Sequence, residues 1–149
     1  MAPTFAKPPT ASVVMGHLGR LEEASMAWYR SLAGRFPALA PALERCAAVC
    51  GKNQTQVQRT YQETVTDALE TGFAFEGLDL SRYGGVPQAL PDSLDQALEE
   101  SIALEERAAA CYEDVAARSA RLLATIPRAL QRAAEGRRRN AAALRALRG

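Results

Sequence analysis

Residues 21–35 read LEEASMAWYRSLAGR and residues 104–118 read LEERAAACYEDVAAR, so a shift of 83 positions relates the two stretches. Seven residues are identical between them, and Glu22 pairs with Glu105. Apolar and small residues recur in both at spacings of three and four, as on one face of an amphipathic helix. An internal repeat of this kind predicts two copies of one helical unit.

The same shift aligns a second pair of helical patterns, because it places Gln54 on Arg137 and Val57 on Asn140. The periodicity predicts four helices. Their expected limits are residues 12–35, a stripe from Leu43 ending near Gly72, a third helix capped by Asp92 or Ser93, and a fourth after a turn at residues 118–121 with Pro127 in its first turn. The sequence therefore predicts an all-α four-helix bundle of two helical hairpins, joined by a long crossover loop at residues 72–91.

Length and composition predict a single domain. The chain has 149 residues, 48% of them hydrophobic, and a net charge of +1. We expect a Pro-rich flexible arm at residues 1–11 and one bundle domain at residues 12–148. The arm lacks the apolar core of a secretory signal, and no apolar run reaches the roughly 18 residues of a membrane span. Three cysteines without a Cys-x-x-Cys pair favour a reducing compartment, so we expect a cytoplasmic protein with no membrane partner.

The glutamate-to-tyrosine spacing on the first and third helices resembles a known family. Glu22 is followed by Tyr29 and Glu105 by Tyr112, and a long crossover precedes Pro91-Asp92-Ser93-Leu94. This pattern is similar to the rubrerythrin-type branch of the ferritin-like superfamily. The resemblance implies a di-iron site built from one Glu on each of two helices and a Glu-x-x-His on each of the other two.

The chain departs from that pattern at four of the six ligand positions. Glu22 and Glu105 match the single glutamates, whereas Gln54-Thr55-Gln56-Val57 and Arg137-Arg138-Arg139-Asn140 stand where the family has Glu-x-x-His. We therefore interpret the site as degenerate, with no catalytic residue and no expected cofactor. The predicted function is a non-catalytic interaction, assembly or small-ligand-binding scaffold. The vestigial metal-site positions are Glu22, Gln54, Val57, Glu105, Arg137 and Asn140.

A guanidinium group can take the place of the lost metals. Two inward-facing carboxylates repel each other unless a cation lies between them. We therefore predict a buried triad of Glu22, Arg137 and Glu105, in which Gln54 and Asn140 supply further hydrogen-bond donors. The alternative is that Arg137 lies at the surface with its two arginine neighbours.

An enzyme remains the alternative function. In a divergent di-iron oxidoreductase, either a peroxidase or a ferroxidase, Glu22 and Glu105 hold iron with help from Glu63, Glu106 or Glu135. This interpretation requires that the second and fourth helices have a different register from the one assigned above.

Cysteines and tyrosines offer two further candidate sites. Cys46 and Cys50 lie four residues apart and so share a helical face, which suits a soft metal such as Cu(I) or zinc. The other interpretation makes them small buried apolar residues. Tyr29, Tyr61 and Tyr112 are expected near the bundle centre, where their hydroxyls can line a small pocket.

Two surface features predict partners. The last thirty-five residues hold nine arginines and one acid, Glu135. We expect this basic helix either to bind an acidic protein partner or to pair with the chain's own acidic helical face around Glu99, Glu100, Glu105 and Glu106, because the chain lacks the motifs of a nucleic-acid reader. Apolar residues of the crossover loop predict a homodimer unless its own chain covers them. These residues are Phe73, Phe75, Leu78, Leu80 and Tyr83.

Overall fold

Four long helices make up most of the molecule. The structure is a computed structural model that describes residues 8–64, 74–119 and 125–148. The helices are α1 (Ala11–Arg35), α2 (Ala40–Thr64), α3 (Leu94–Arg118) and α4 (Thr125–Leu147). Single-turn 3₁₀ helices lie at Pro37–Leu39 and Leu80–Tyr83, and the described residues contain no β-strand beyond an isolated bridge. Within the described residues, the predicted all-α class and the four predicted helices are confirmed.

Local sequence signals set the helix ends. The Thr10 side chain accepts a hydrogen bond from the Val13 amide and caps α1. Ser93 caps α3 in the same way, while Asp92, the alternative cap, forms an ion pair with Arg35 instead. Pro127 lies in the first turn of α4, where its missing N–H costs no helical hydrogen bond.

Some predicted limits fall outside the described residues. These are most of the arm at residues 1–11, the end of the second helix near Gly72, and part of the turn at residues 118–121. No helix among the described residues is both long and apolar enough to span a membrane.

The helices pack as α1 on α2, α3 on α4 and α2 on α4. Asn53 on α2 donates to the Ala133 carbonyl, and Asn140 donates to the Cys46 carbonyl, so α2 and α4 run antiparallel. Two apolar clusters fill the interior, one around Leu18, Phe75, Val115 and Leu130 and one around Leu32, Leu43, Leu98 and Leu144. On α1, α3 and α4, buried polar residues lie between the two clusters.

The described part of the connection between α2 and α3 lies against its own chain. Phe75 donates its amide to the Pro9 carbonyl, and Arg118 near the end of α3 donates to the Glu76 carbonyl over 2.6 Å. Further along, the Tyr83 hydroxyl donates to Asp114. Gly77 has a φ of +76°, and a Cβ there lies 2.5 Å from an Arg118 nitrogen, so glycine fits this close approach.

The apolar residues of this connection are mostly covered. Phe75 and Leu78 are buried in the first apolar cluster, and Leu80 and Tyr83 pack partly against it, while Phe73 lies outside the described residues. For Phe75 and Leu78, this burial removes the exposed apolar surface from which a homodimer was predicted. The dimer itself stays a prediction.

Candidate functional site

The Arg137 guanidinium lies between the carboxylates of Glu22 and Glu105 at the centre of the molecule. Its Nε donates to Glu22 Oε1 over 2.9 Å and its Nη2 donates to the same oxygen over 2.5 Å. Its Nη1 donates to Glu105 Oε1 over 2.7 Å. All three side chains are fully buried, with 0% exposed. We call Glu22, Arg137 and Glu105 the central triad.

Helical periodicity explains why only one arginine of the basic run enters the core. Successive residues on an α-helix are rotated by about 100°, so neighbours of an inward residue point elsewhere. Arg138 is 54% exposed and contacts Glu113, and Arg139 is exposed. Arg137 belongs to the same buried face of α4 as Leu130 and Leu144. The alternative that places Arg137 at the surface is therefore wrong.

Further polar side chains bind the triad. Arg137 Nη2 donates to Ser25 Oγ over 2.8 Å, and Asn140 Nδ2 donates to Glu105 Oε2 over 3.3 Å. The Tyr29 hydroxyl donates to Glu105 Oε1. Glu105 thus accepts hydrogen bonds from three side chains, with both of its oxygens engaged.

Two buried polar atoms lack a partner on the other side of the triad. Glu22 Oε2 and the Tyr112 hydroxyl form no hydrogen bond with any described residue. The hydroxyl is close enough to the Glu22 carboxyl to affect its pKa, but the geometry is not that of a hydrogen bond. A void lined by Tyr112, Gln54 and Val57 lies alongside and has no room for a water molecule.

The charges of the triad do not cancel if both carboxyls are ionised, since two carboxylates and one guanidinium sum to −1. Burial raises the pKa of Glu22 and of Glu105, and the nearby guanidinium offsets this only in part. Burial alone lowers the pKa of Arg137, but Glu105 and Glu22 outweigh that effect and hold it well above its ordinary value. The arginine therefore stays charged, and a carboxyl is the group that takes up a proton.

The remaining predicted positions lie in different surroundings. Gln54 does not supply a donor to the triad, because its Nε2 donates to the Gly19 carbonyl over 3.3 Å. Val57 packs in the first apolar cluster, and Tyr61 is only partly buried against it. The structure thus brings together Glu22, Arg137, Glu105 and Asn140 and leaves Gln54 and Val57 outside their hydrogen-bond network.

The donor set at this centre does not fit a pair of iron ions. Dinuclear iron in such bundles is held by four carboxylates and two imidazoles. Glu22 and Glu105 are the carboxylates here, and Arg137 nitrogens bind both of them. Glu63, Glu106 and Glu135 are exposed on the outside of the helices. No group of three or more metal-ligating side chains occurs among residues 8–64, 74–119 and 125–148.

The cysteines are free and buried beside the triad. Burial raises the pKa of Cys46 to about 12 and also raises the pKa of Cys50. The thiolate is the form that binds soft metals, and it is strongly disfavoured here. The burial of Cys46 and Cys50 therefore favours their interpretation as small buried apolar groups.

Ser25 and Ser101 are polar residues of the core that sequence reasoning did not assign to a site. Ser25 accepts from Arg137, and Ser101 accepts from the Trp28 indole over 3.1 Å. Both lie on the inward stripes of α1 and α3, beside Glu22 and Glu105, and a further polar residue on these largely apolar stripes was the available signal.

The sequence matches no family model, and comparisons with curated proteins and with solved structures give no match.

Proposed function

We propose that this protein is a ferritin-like bundle in which the central triad stands in the place of a di-iron site, and that it acts as a non-catalytic interaction or assembly scaffold. The observation that carries the proposal is the Arg137 guanidinium, which binds Glu22 and Glu105 simultaneously. A cation built into the chain neutralises carboxylates that a metal otherwise holds together.

Contacts along the chain support the ferritin-like arrangement. α1 packs on α2 and α3 on α4, as two hairpins do. The connection contacts α3 from Arg118 back to Arg107, which donates to the Gly85 carbonyl. A crossover running the length of α3 between parallel α2 and α3 accounts for these contacts, and the 83-residue repeat fits the two hairpins.

Burial of the reactive groups supports a role without catalysis. The side chains of the triad are fully buried, and each nitrogen of the guanidinium is engaged by a carboxylate or a serine. A substrate therefore has no route to these groups without opening the bundle. The void beside Tyr112 is too small for water, so we place the working surface on the outside of the helices.

We also propose an acidic protein partner for the basic C-terminal helix, and a cytoplasmic location. The three free, buried cysteines fit a reducing cytoplasm.

The iron content of the purified protein tests the proposal. The protein is loaded anaerobically with Fe(II), desalted and assayed for bound metal, and its absorbance is followed on exposure to oxygen. We expect no retained iron and no oxidation. Retention of about two irons per chain contradicts the proposal and favours a di-iron oxidoreductase. The Glu22→Gln variant is the matched control, because its iron content stays unchanged if the triad does not hold metal.

A further inference from the structure

Four exposed cations surround the contact between α2 and α4. A Cβ placed at Gly136 lies 3.1 Å from Val49 Cγ1, so the two helices approach closely at this point. Residues four before and three after an inward position lie on the same helical face. For Val49 these are Arg45 and Lys52, and for Gly136 they are Arg132 and Arg139. We call Arg45, Lys52, Arg132 and Arg139 the seam cations.

The seam cations are exposed and form no ion pair among the described residues. Two other arginines of α4 differ, because Arg138 and Arg145 contact glutamates on α3. Glu135 lies three and four residues from two of the seam cations, yet it is exposed and forms no ion pair with them.

Antiparallel packing brings the cations of the two helices close to each other. Asn140 reaches the Cys46 carbonyl, so Arg139 lies near Arg45. Asn53 reaches the Ala133 carbonyl, so Arg132 lies near Lys52. Like charges side by side on one surface repel each other, and an anionic partner relieves that repulsion.

Spacing decides which anionic partner fits. On each helix the seam cations are seven residues apart, which is about 10.5 Å at 1.5 Å per residue. A helix with an acidic residue in every seventh position presents carboxylates at that same spacing. Between the seam cations lie Gly136, which is buried, and Val49, which is half-buried. No aromatic residue lies three, four or seven positions from any of the seam cations in the sequence. At these positions the surface therefore offers no ring on which the bases of a single-stranded nucleic acid can stack.

We propose that the seam between α2 and α4 binds an acidic helix of a partner protein, laid along the seam cations. The inference rests on the proposed scaffold function and names its contact surface. It adds Arg45 and Lys52 of α2 to a surface that the sequence alone places on the C-terminal helix.

Fluorescence anisotropy with the full chain tests the seam. The probe is a labelled helical peptide with glutamates every seventh residue along both flanks of one face. A peptide of identical composition with scattered glutamates and a duplex DNA are the comparison probes. We expect the spaced peptide to bind about tenfold more tightly than the scattered one, with affinity falling as salt rises.

Charge variants locate the binding. Arg132→Gln with Arg139→Gln is expected to weaken the spaced peptide by about tenfold. Arg20→Gln with Arg30→Gln removes the same charge from exposed positions on α1 and is expected to leave binding unchanged. The proposal is overturned if neither peptide binds or if both bind equally. It is also overturned if the DNA binds more tightly than the spaced peptide, or if both double variants lose the same affinity for that peptide. Iron content is measured on each preparation. If the protein is free of iron but does not prefer the spaced peptide, the proposed binding at the seam is refuted while the proposed scaffold function is not.

Discussion

The two carboxylates of the central triad are related by the internal repeat but have different surroundings. Glu105 accepts from Tyr29, Arg137 and Asn140, and both of its oxygens are engaged. Glu22 accepts from Arg137 through one oxygen, and its other oxygen has no hydrogen-bond donor among the described residues. Glu105 is therefore the better site for a negative charge, and Glu22 is the better site for a proton.

The difference arises on α2 and α4. The repeat aligns Gln54 with Arg137 and Val57 with Asn140, and only the α4 residues of these pairs reach the carboxylates. A metal pair at the centre of a bundle draws ligands from all four helices. One arginine on one helix cannot serve both carboxylates equally, so the proposed replacement of metal by a guanidinium is expected to make the site asymmetric.

Removing the guanidinium is expected to have the largest effect. Arg137→Ala leaves two buried carboxyls without their cation and is expected to lower the free energy of unfolding by about 3 to 5 kcal/mol. Urea denaturation measures the change. Arg138→Ala is the control on the same helix, because its ion pair with Glu113 is exposed and contributes about 0–1 kcal/mol. A similar small loss in both variants argues against a central role for Arg137.

Neutralising each carboxyl in turn tests the asymmetry. Glu105→Gln weakens hydrogen bonds to a charged acceptor and is expected to cost about 2 to 3 kcal/mol. Glu22→Gln replaces a carboxyl that readily holds a proton and is expected to cost about 1 kcal/mol or less. Urea denaturation of the two variants side by side gives the ranking. Equal costs, or a larger cost at Glu22, contradict the assignment.

The two repeat-related tyrosines allow a finer test. Tyr29→Phe removes a donor to Glu105 and is expected to cost about 1.5 to 3 kcal/mol. Tyr112→Phe removes a buried hydroxyl that lacks a partner, so we expect no loss of stability or a small gain. Thermal unfolding of both variants checks the difference, and a substantial loss in Tyr112→Phe reveals a hydrogen bond at that hydroxyl.

The pH dependence gives the smallest expected signal. The pKa values of Glu22 and Glu105 are raised above 4.5 in the folded protein, so folding favours their protonated forms. Their contribution to stability is present below pH 4.5 and is lost as the pH rises through the raised pKa values. Glu22→Gln is expected to reduce this decline in denaturation midpoints measured across that range. An unchanged pH profile indicates that Glu22 does not take up the proton.

Much of the helical framework is predictable from the sequence. The spacing of Leu18, Glu22, Tyr29 and Leu32 defines the buried face of α1, and Ser93 and Pro127 mark helix starts that the structure contains. The triad also follows from periodicity, since Arg137 shares its helical face with Leu130 and Leu144. These features are local or periodic, and a single sequence encodes them directly.

Features that depend on the packing of one helix against another are harder to predict from the sequence. Gln54 lies on an inward stripe of the sequence pattern, but its side-chain amide donates to the nearby Gly19 carbonyl. This hydrogen bond depends on how closely α1 approaches α2. Phe75 and Leu78 follow no helical period, so their burial depends on the path of the connection. The orphan hydroxyl of Tyr112 depends on the rotamers of its neighbours.

Denaturation with and without iron tests the central claim most directly. A ligand that binds the folded state raises the free energy of unfolding with its concentration, whereas a chain that supplies its own cation gains nothing from added metal. The urea midpoint is measured anaerobically in excess chelator and in excess Fe(II). We predict the same midpoint in both conditions. A midpoint that rises with Fe(II) and falls back on chelation contradicts the proposal that Arg137 stands in the place of the metals.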